Sequence, residues 1–211
     1  MKHTLSRRQF IKTGLASTAG IILVACGNDG ESATGLNYPE ATQETDVVQL
    51  APTPQCDDHD ETLSQTEGPF YTSDTPQRTN LLEEGMAGTL LVVTGKVLTT
   101  DCRPIAGAIL DFWHADDAGN YDNTGYLLRG HQYSDENGSF QLQTIVPGEY
   151  PGRTRHIHVK VQGPDTSLLT TQLYFPNEPG NNNDSIFDAA LIIDMQDAEN
   201  GKAGAFNFVL S

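Results

Sequence analysis

From Leu90 to the C-terminus, short runs rich in β-branched and aromatic residues alternate with turn-forming clusters, and no segment carries the 3.6-residue apolar period of a long amphipathic helix. The runs fall at 90–98, 108–113, 139–145, 156–161, 169–175, 189–193 and 205–210. They are separated by Asp101-Cys102-Arg103-Pro104, Asp116-Asp117-Ala118-Gly119, Asp135-Glu136-Asn137-Gly138, Pro147-Gly148 and Gly163-Pro164-Asp165. Parallel neighbours need a crossover, usually helical, and none is visible. The reading is an all-β chain, an antiparallel β-sandwich of about seven strands. The irregular segments 57–88 and 176–185 are long enough to form the walls of a site. With 211 residues there is room for one well-cored domain.

The first 25 residues read as an address. Ser6-Arg7-Arg8-Gln9-Phe10-Ile11-Lys12 has the paired arginines of a twin-arginine export signal, and the apolar run after it is too short to span a bilayer. It ends in Leu23-Val24-Ala25-Cys26, which resembles a lipobox and makes Cys26 the expected lipid anchor in the cell envelope. Residues 26–55 are polar, rich in Gly, Asn, Thr and Pro, and read as a flexible tether; 56–211 is the folded domain. Removing Lys2, Arg7, Arg8 and Lys12 with the signal takes the formal charge from −16 to −20. So acidic a chain lacks the basic footprint that nucleic acid requires. Cys56 and Cys102 are then an even pair in an oxidising compartment, and a disulfide between them would stabilise by roughly 4 kcal/mol on the chain-entropy model. The alternative, that both bind metal, lacks a second Cys or His at chelating spacing.

The densest chemistry is Arg153-Thr154-Arg155-His156-Ile157-His158-Val159-Lys160-Val161. On a strand His156 and His158 share one face while Ile157, Val159 and Val161 face the opposite layer, so the two imidazoles can converge on one ion. In isolation His-x-His fits two packed histidines equally well. Tyr150 just upstream and Tyr121 in the turn after Trp113 add phenolate oxygens, which are hard anionic donors suited to a trivalent ion.

Asp111-Phe112-Trp113-His114-Ala115, Gly119-Asn120-Tyr121, Leu128-Arg129-Gly130, Thr144-Ile145-Val146-Pro147-Gly148-Glu149-Tyr150 and Arg153 through His158 stand in order between Thr66-Glu67-Gly68-Pro69-Phe70-Tyr71 and Phe175. In these motifs the chain resembles the intradiol ring-cleaving dioxygenases, and in particular their exported branch. The resemblance implies a non-haem Fe(III) held by Tyr121, Tyr150, His156 and His158. Tyr150 would be the phenolate that leaves when substrate arrives, with His158 opposite it. It places Arg153 and Gln172 in the active site and implies a catechol-type substrate that is opened with O2 to a muconate-type diacid. Tyr150 and His156 are only six apart, shorter than in the protocatechuate-cleaving members, and the helical dimerisation segment of the catechol-cleaving members is absent, so substrate and oligomeric state do not carry over.

The remaining eye-catching residues read as structural. Trp113 is expected in the core, His114 and His131 beside the site or at the surface, His59 near the tether, and Arg129 in a structural pairing. Tyr126, Tyr133 and Tyr174 are expected to pack, and Tyr71 to lie near the mouth of the site. Two rival readings are an envelope protein holding Zn or Cu on His156 and His158 alone, and a non-catalytic sandwich that binds sugar or peptide. Neither requires the two tyrosines.

Overall fold

The structure, a computed structural model, describes residues 60–211. The export signal, Cys26, the tether, Cys56 and His59 lie outside the described residues; Cys102 is disulfide-bonded.

Two sheets stack face to face. One contains β1 (Leu90–Thr99), β4 (Ser139–Ile145), β7 (Asp194–Ala198), β8 (Gly201–Ala205) and β9 (Phe208–Leu210), in the order β4-β1-β8-β7 with β9 also on β1. The other has the order β3-β2-β5-β6, from β2 (Ile109–Trp113), β3 (Arg129–Tyr133), β5 (His156–Gln162) and β6 (Leu169–Tyr174). All pairs are antiparallel except β1 with β8 and β1 with β9. The core is the set of inward-facing alternate residues. Leu91, Val93, Phe140, Leu142 and Phe208 of one sheet meet Leu110, Phe112, Ile157, Val159, Val161 and Leu173 of the other.

The strand pattern expected from the sequence needs three corrections. Strand β3 gives no apolar alternation, because its buried residues are Arg129, Gly130 and Gln132. The β7–β8 hairpin also escapes the pattern, because small, polar or glycine residues dominate it and β7 buries none of its side chains. Residues 189–193 are not a strand. Asp188 accepts from Ala190 N and opens a 3-10 turn at Ala189–Leu191, after which Ile192 and Ile193 bridge to Tyr174.

The face of β5 turned away from the core explains where the chemistry lies. Cross-strand register aligns Arg129, Trp113, His158 and Gln172 in one row across all four strands of that sheet, and His156 pairs with Tyr174. Directly opposed residues lie about 5 Å apart at Cβ, so this row is a rigid polar and aromatic floor. The segments around 66–71, 114–128, 147–155 and 176–188 cover it, including both stretches expected to wall a site.

Candidate metal centre

His156 and His158 occupy the floor, buried on a strand that is hydrogen-bonded on both sides. His156 Nδ1 donates to Thr154 O at 2.6 Å, which leaves the lone pair on Nε2. That Nε2 lies 3.1 Å from His158 Nε2 and 3.2 Å from Tyr121 Oη. Burial lowers His156 to about 4 against the opposing pull of its bond to Thr154. Burial, with the neighbouring His156 and Arg153, holds His158 well below the ordinary imidazole range. Both rings are therefore neutral at pH 7. His158 is fixed by stacking on Trp113, with centroids 4.8 Å apart and planes 7° apart, while its Nδ1 is buried without a hydrogen-bond partner among the described residues. Trp113 is buried, but on the face of its strand turned away from the core cluster, so the expected core position is corrected: it forms one wall of the histidine pair.

Tyr121 is carried between two aspartate-capped turns. Asp116 Oδ1 accepts from Ala118 N and Asn120 N, and Asp122 accepts from Leu127 N, Thr124 N and Gly125 N. Those three backbone donors hold Asp122 well below the usual carboxylate range. The Tyr121 ring stacks on Phe70 at 4.4 Å. Burial pushes its phenol up to about 12, opposed by the positive charges of Arg153 and Arg129, so it ionises only beside a strong cation. Arg129, itself buried, sends Nε and Nη2 to Asp122 O (3.0 and 2.7 Å) and Nη1 to Phe70 O (2.6 Å). It clamps the phenol's loop to the ring that stacks on it; in place of the expected structural pairing with an acid, it bonds backbone carbonyls and positions Tyr121 through them.

Tyr150 lies edge-on to Tyr121 and to the same Phe70 ring. Its ring is 6.0 Å from Tyr121 and 5.2 Å from Phe70. The two tyrosine-bearing loops touch backbone to backbone. Gly148 N donates to Asp116 O at 2.7 Å, and a Cβ on Gly119 would lie 2.2 Å from Glu149 O. Arg155 steadies this loop from outside, donating to Pro147 O at 2.7 Å and pairing with Glu178 at 3.1 Å.

Arg153 and Gln172 meet directly: Arg153 Nη2 donates to Gln172 Oε1 at 2.6 Å, and Gln172 Nε2 donates to Thr66 O at 2.8 Å. Arg153 and Tyr150 line a cavity of about 320 Å3 with Glu149, Asn183 and Asp184. All six residues singled out from the sequence thus belong to one neighbourhood. Phe70, which touches both tyrosines, and Asp184, which pairs with Arg153, were not singled out. Phe70 was legible only as part of a turn motif, and Asp184 follows three asparagines that read as loop.

The histidines outside the pair behave as supports. His114 is fully buried, bonded to Ala115 O and Thr144 Oγ1, and His131 bonds Thr75 O. Among the described residues no three His, Cys, Asp or Glu side chains gather as a metal cage. The donor next to His156 and His158 is the Tyr121 phenol, with Tyr150 beside it. Two neutral imidazoles and two phenol oxygens form a donor set suited to a hard, highly charged ion rather than to a soft one.

The comparisons with known proteins agree with this geometry. A family model described as Dioxygenase matches residues 66–211. A hydroxyquinol 1,2-dioxygenase of Rhizobium sp. (strain MTP-10005) is 29% identical over 164 residues, covering 64% of this chain and 55% of that protein. The chain thus spans little more than half the length of that relative. A chlorocatechol 1,2-dioxygenase of Rhodococcus opacus is 29% identical over 185 residues, 71% of this chain and 72% of that protein. Among solved structures, the dioxygenase domain of a dioxygenase carbohydrate-binding protein fusion from Streptomyces sp. SirexAA-E superposes with a TM-score of 0.71 at 52% identity, over 72% of this chain and 99% of that one. With the family match running over most of the chain and the strand floor, the two histidines and the two tyrosines in place, the chain belongs to the intradiol ring-cleaving dioxygenase family.

Proposed function

We propose that this chain is a non-haem Fe(III) dioxygenase that opens a catechol-type diol between its two hydroxylated carbons. Both atoms of O2 would enter the product, the carbon–carbon bond between those carbons would break, and two carboxyl groups would form, with no external reductant. The observation that carries the reading is the convergence of Tyr121, His156 and His158 within 3.2 Å contacts, with Tyr150 against the same Phe70 ring. Tyr121, Tyr150, His156 and His158 would hold the iron, which supplies Lewis acidity toward a chelating diol.

The chain's own groups divide the remaining work. Tyr150 Oη, on a half-buried ring beside the cavity, accepts a proton from a substrate hydroxyl. Arg153 makes no hydrogen bond through Nη1 among the described residues, so that donor is free to stabilise negative charge developing on the diol. Phe70 and Trp113 pack beside the donor atoms and exclude water from one side of them. The net negative charge disfavours an anionic ring substituent unless Arg153 or Arg155 reverses the sign locally, so neutral catechols are the proposed class. The chain is proposed to act in the cell envelope, anchored through Cys26, with Cys56 as the disulfide partner of Cys102.

The test is oxygen uptake by the purified chain with catechol, protocatechuate and hydroxyquinol, with mass analysis of products formed under 18O2. The expected product carries two labelled oxygens and is cleaved between the hydroxyls. Cleavage beside them would refute the intradiol assignment, and a colourless protein with iron bound would refute the four-ligand assignment, since phenolate-to-Fe(III) charge transfer absorbs in the visible.

A further inference from the structure

Asp184 is a carboxylate with its side chain 1% exposed, in a loop the sequence marks only as irregular. Its Oδ2 accepts from Arg153 Nε at 2.7 Å and from Thr154 N at 3.1 Å, and its Oδ1 accepts from Ile186 N at 3.1 Å. The guanidinium is then fixed at a second corner, where Nη2 donates to Gln172 Oε1. Two corners of a planar fork, once held, determine the third. The bonds continue into a closed ring: Arg153 Nη2 also donates to Tyr174 Oη at 3.4 Å, Tyr174 Oη donates to Gln65 Oε1, Gln65 Nε2 to Ile186 O, and Ile186 N returns to Asp184. The segments around 65, 153, 172 and 184 are thus tied through a single arginine.

We infer that Asp184 is a positioning residue for ring cleavage, which acts by holding Arg153 with its Nη1 edge as the one donor left for the substrate. This rests on the function proposed above. The alternatives for a buried carboxylate at this place are separable. A purely structural role would need only the bonds to Thr154 N and Ile186 N, and these do not involve the guanidinium. A role as a proton acceptor would need a carboxylate open to the cavity, but the side chain is 1% exposed and both oxygens already accept, Oδ2 from Arg153 and Thr154 and Oδ1 from Ile186. Burial alone would push the carboxyl up, yet the bonds from Arg153, Ile186 and Thr154 hold it below its ordinary range, so it is a fixed anion at neutral pH.

The experiment is a double-mutant cycle in the iron-loaded protein: wild type, Asp184→Asn, Arg153→Gln and the double variant, with Asp184→Glu as a second probe that keeps the charge but moves it by one methylene. Two readouts are taken, kcat/KM for catechol and the absorption of bound 4-nitrocatechol, whose band reports the charge beside its oxygens. A group displaced by about 1 Å at a reacting centre costs on the order of 100-fold. Asp184→Asn is therefore expected to lower kcat/KM by at least about tenfold when Arg153 is present and by less than about twofold in the Arg153→Gln background. The bound 4-nitrocatechol band should move toward its position in Arg153→Gln, while the visible band of the unliganded protein stays unchanged. Equal losses in both backgrounds, by either Asp184 variant, overturn the inference. If the wild type cleaves no catechol, the proposed function fails, and the 4-nitrocatechol shift still decides whether Asp184 orients Arg153.

Discussion

The contact between the two tyrosine-bearing loops can be tested with three glycine-to-alanine substitutions that separate strain from collision. Gly152 has φ +83° and nothing within 4 Å of the point where a Cβ would stand, so Gly152→Ala pays only for the left-handed backbone. That is about 1–2 kcal/mol, reduced by the roughly 0.4–1 kcal/mol that alanine gains through a stiffer unfolded chain. Gly148 lacks a positive φ, but its Cβ would stand 2.4 Å from Gly119 N and 2.5 Å from Asp117 O, a collision worth about 1–3 kcal/mol. Gly119 combines both, with φ +86° and a Cβ 2.2 Å from Glu149 O, and its substitution is expected to cost about 3 kcal/mol. Restoring ordinary contact at that point requires the loops of Tyr121 and Tyr150 to part by about 1 Å. Gly119→Ala and Gly148→Ala should therefore lose iron and lower the ring-cleavage rate on the order of 100-fold, whereas Gly152→Ala keeps both. Urea denaturation, iron per chain and steady-state rates measure all three. Wild-type iron content and rate in Gly148→Ala, or a Gly152→Ala loss as large as that of Gly119→Ala, would refute the idea that backbone contact sets the spacing of the phenols.

Tyr121→Phe should bleach the visible band and lose iron or activity, while Tyr126→Phe, whose ring is at the surface, should do neither; equal loss in both would mean that the ligand is misassigned. Arg129→Lys removes the fork that serves Asp122 O and Phe70 O and should destabilise by about 3 kcal/mol, because buried carbonyls left unpaired cost about 1–3 kcal/mol each. A denaturation midpoint unchanged from wild type would exclude that clamp. His114 is held neutral, with burial lowering it from 6.5 to about 4. Below pH 6.5 the unfolded chain takes up a proton that the folded chain refuses, so stability falls with falling pH across the window from 6.5 to 4 and levels off beneath it. The displacement amounts to about 3 kcal/mol. The stability difference between wild type and His114→Gln should shrink by that amount from pH 7 to pH 4, and parallel pH curves would disprove it.

Where the sequence could be read, the reason was periodicity with a chemical exception in it. In β5 the apolar residues Ile157, Val159 and Val161 follow the period of two toward the core, and the histidines between them had to share the other face. Trp113 reads as core by its burial preference, yet the period of two sets it on the face opposite Leu110 and Phe112, and its stacking on His158 depends on the β2–β5 register, which no local pattern encodes. Strand β3 and the β7–β8 hairpin were illegible because tertiary pairing, not propensity, makes them strands. Asp184 was illegible for a different reason. Its partner, Arg153, is 31 residues away, and an aspartate after three asparagines carries no signal of burial. Tyr121 and Tyr150 were assigned through resemblance to a family, since nothing in their spacing alone says that two loops will close on one point.

The division of the site between strand and loop bears on how the chemistry can run. His156 and His158 sit on a central strand whose neighbours on both sides fix their separation, and one ring is further pinned by Thr154 O and the other by Trp113. Tyr121 is nearly as constrained, between the Phe70 stack and the Arg129 clamp. Tyr150 differs from all three in that its loop is held at Gly148 and by Arg155, and its ring borders the cavity that Arg153 also lines. In the function proposed above, the donor that would yield its place to a substrate oxygen and take a proton is the one whose movement disturbs the fewest contacts. Three donors anchored to the sheet or its clamp, and one on a loop facing the cavity, give that asymmetry without any rearrangement of the core. Arg153 lies on the same segment as Tyr150, its N donating to Tyr150 O at 2.9 Å, so a guanidinium that is to stay in place while the phenol yields needs a hold of its own, and Asp184 supplies it.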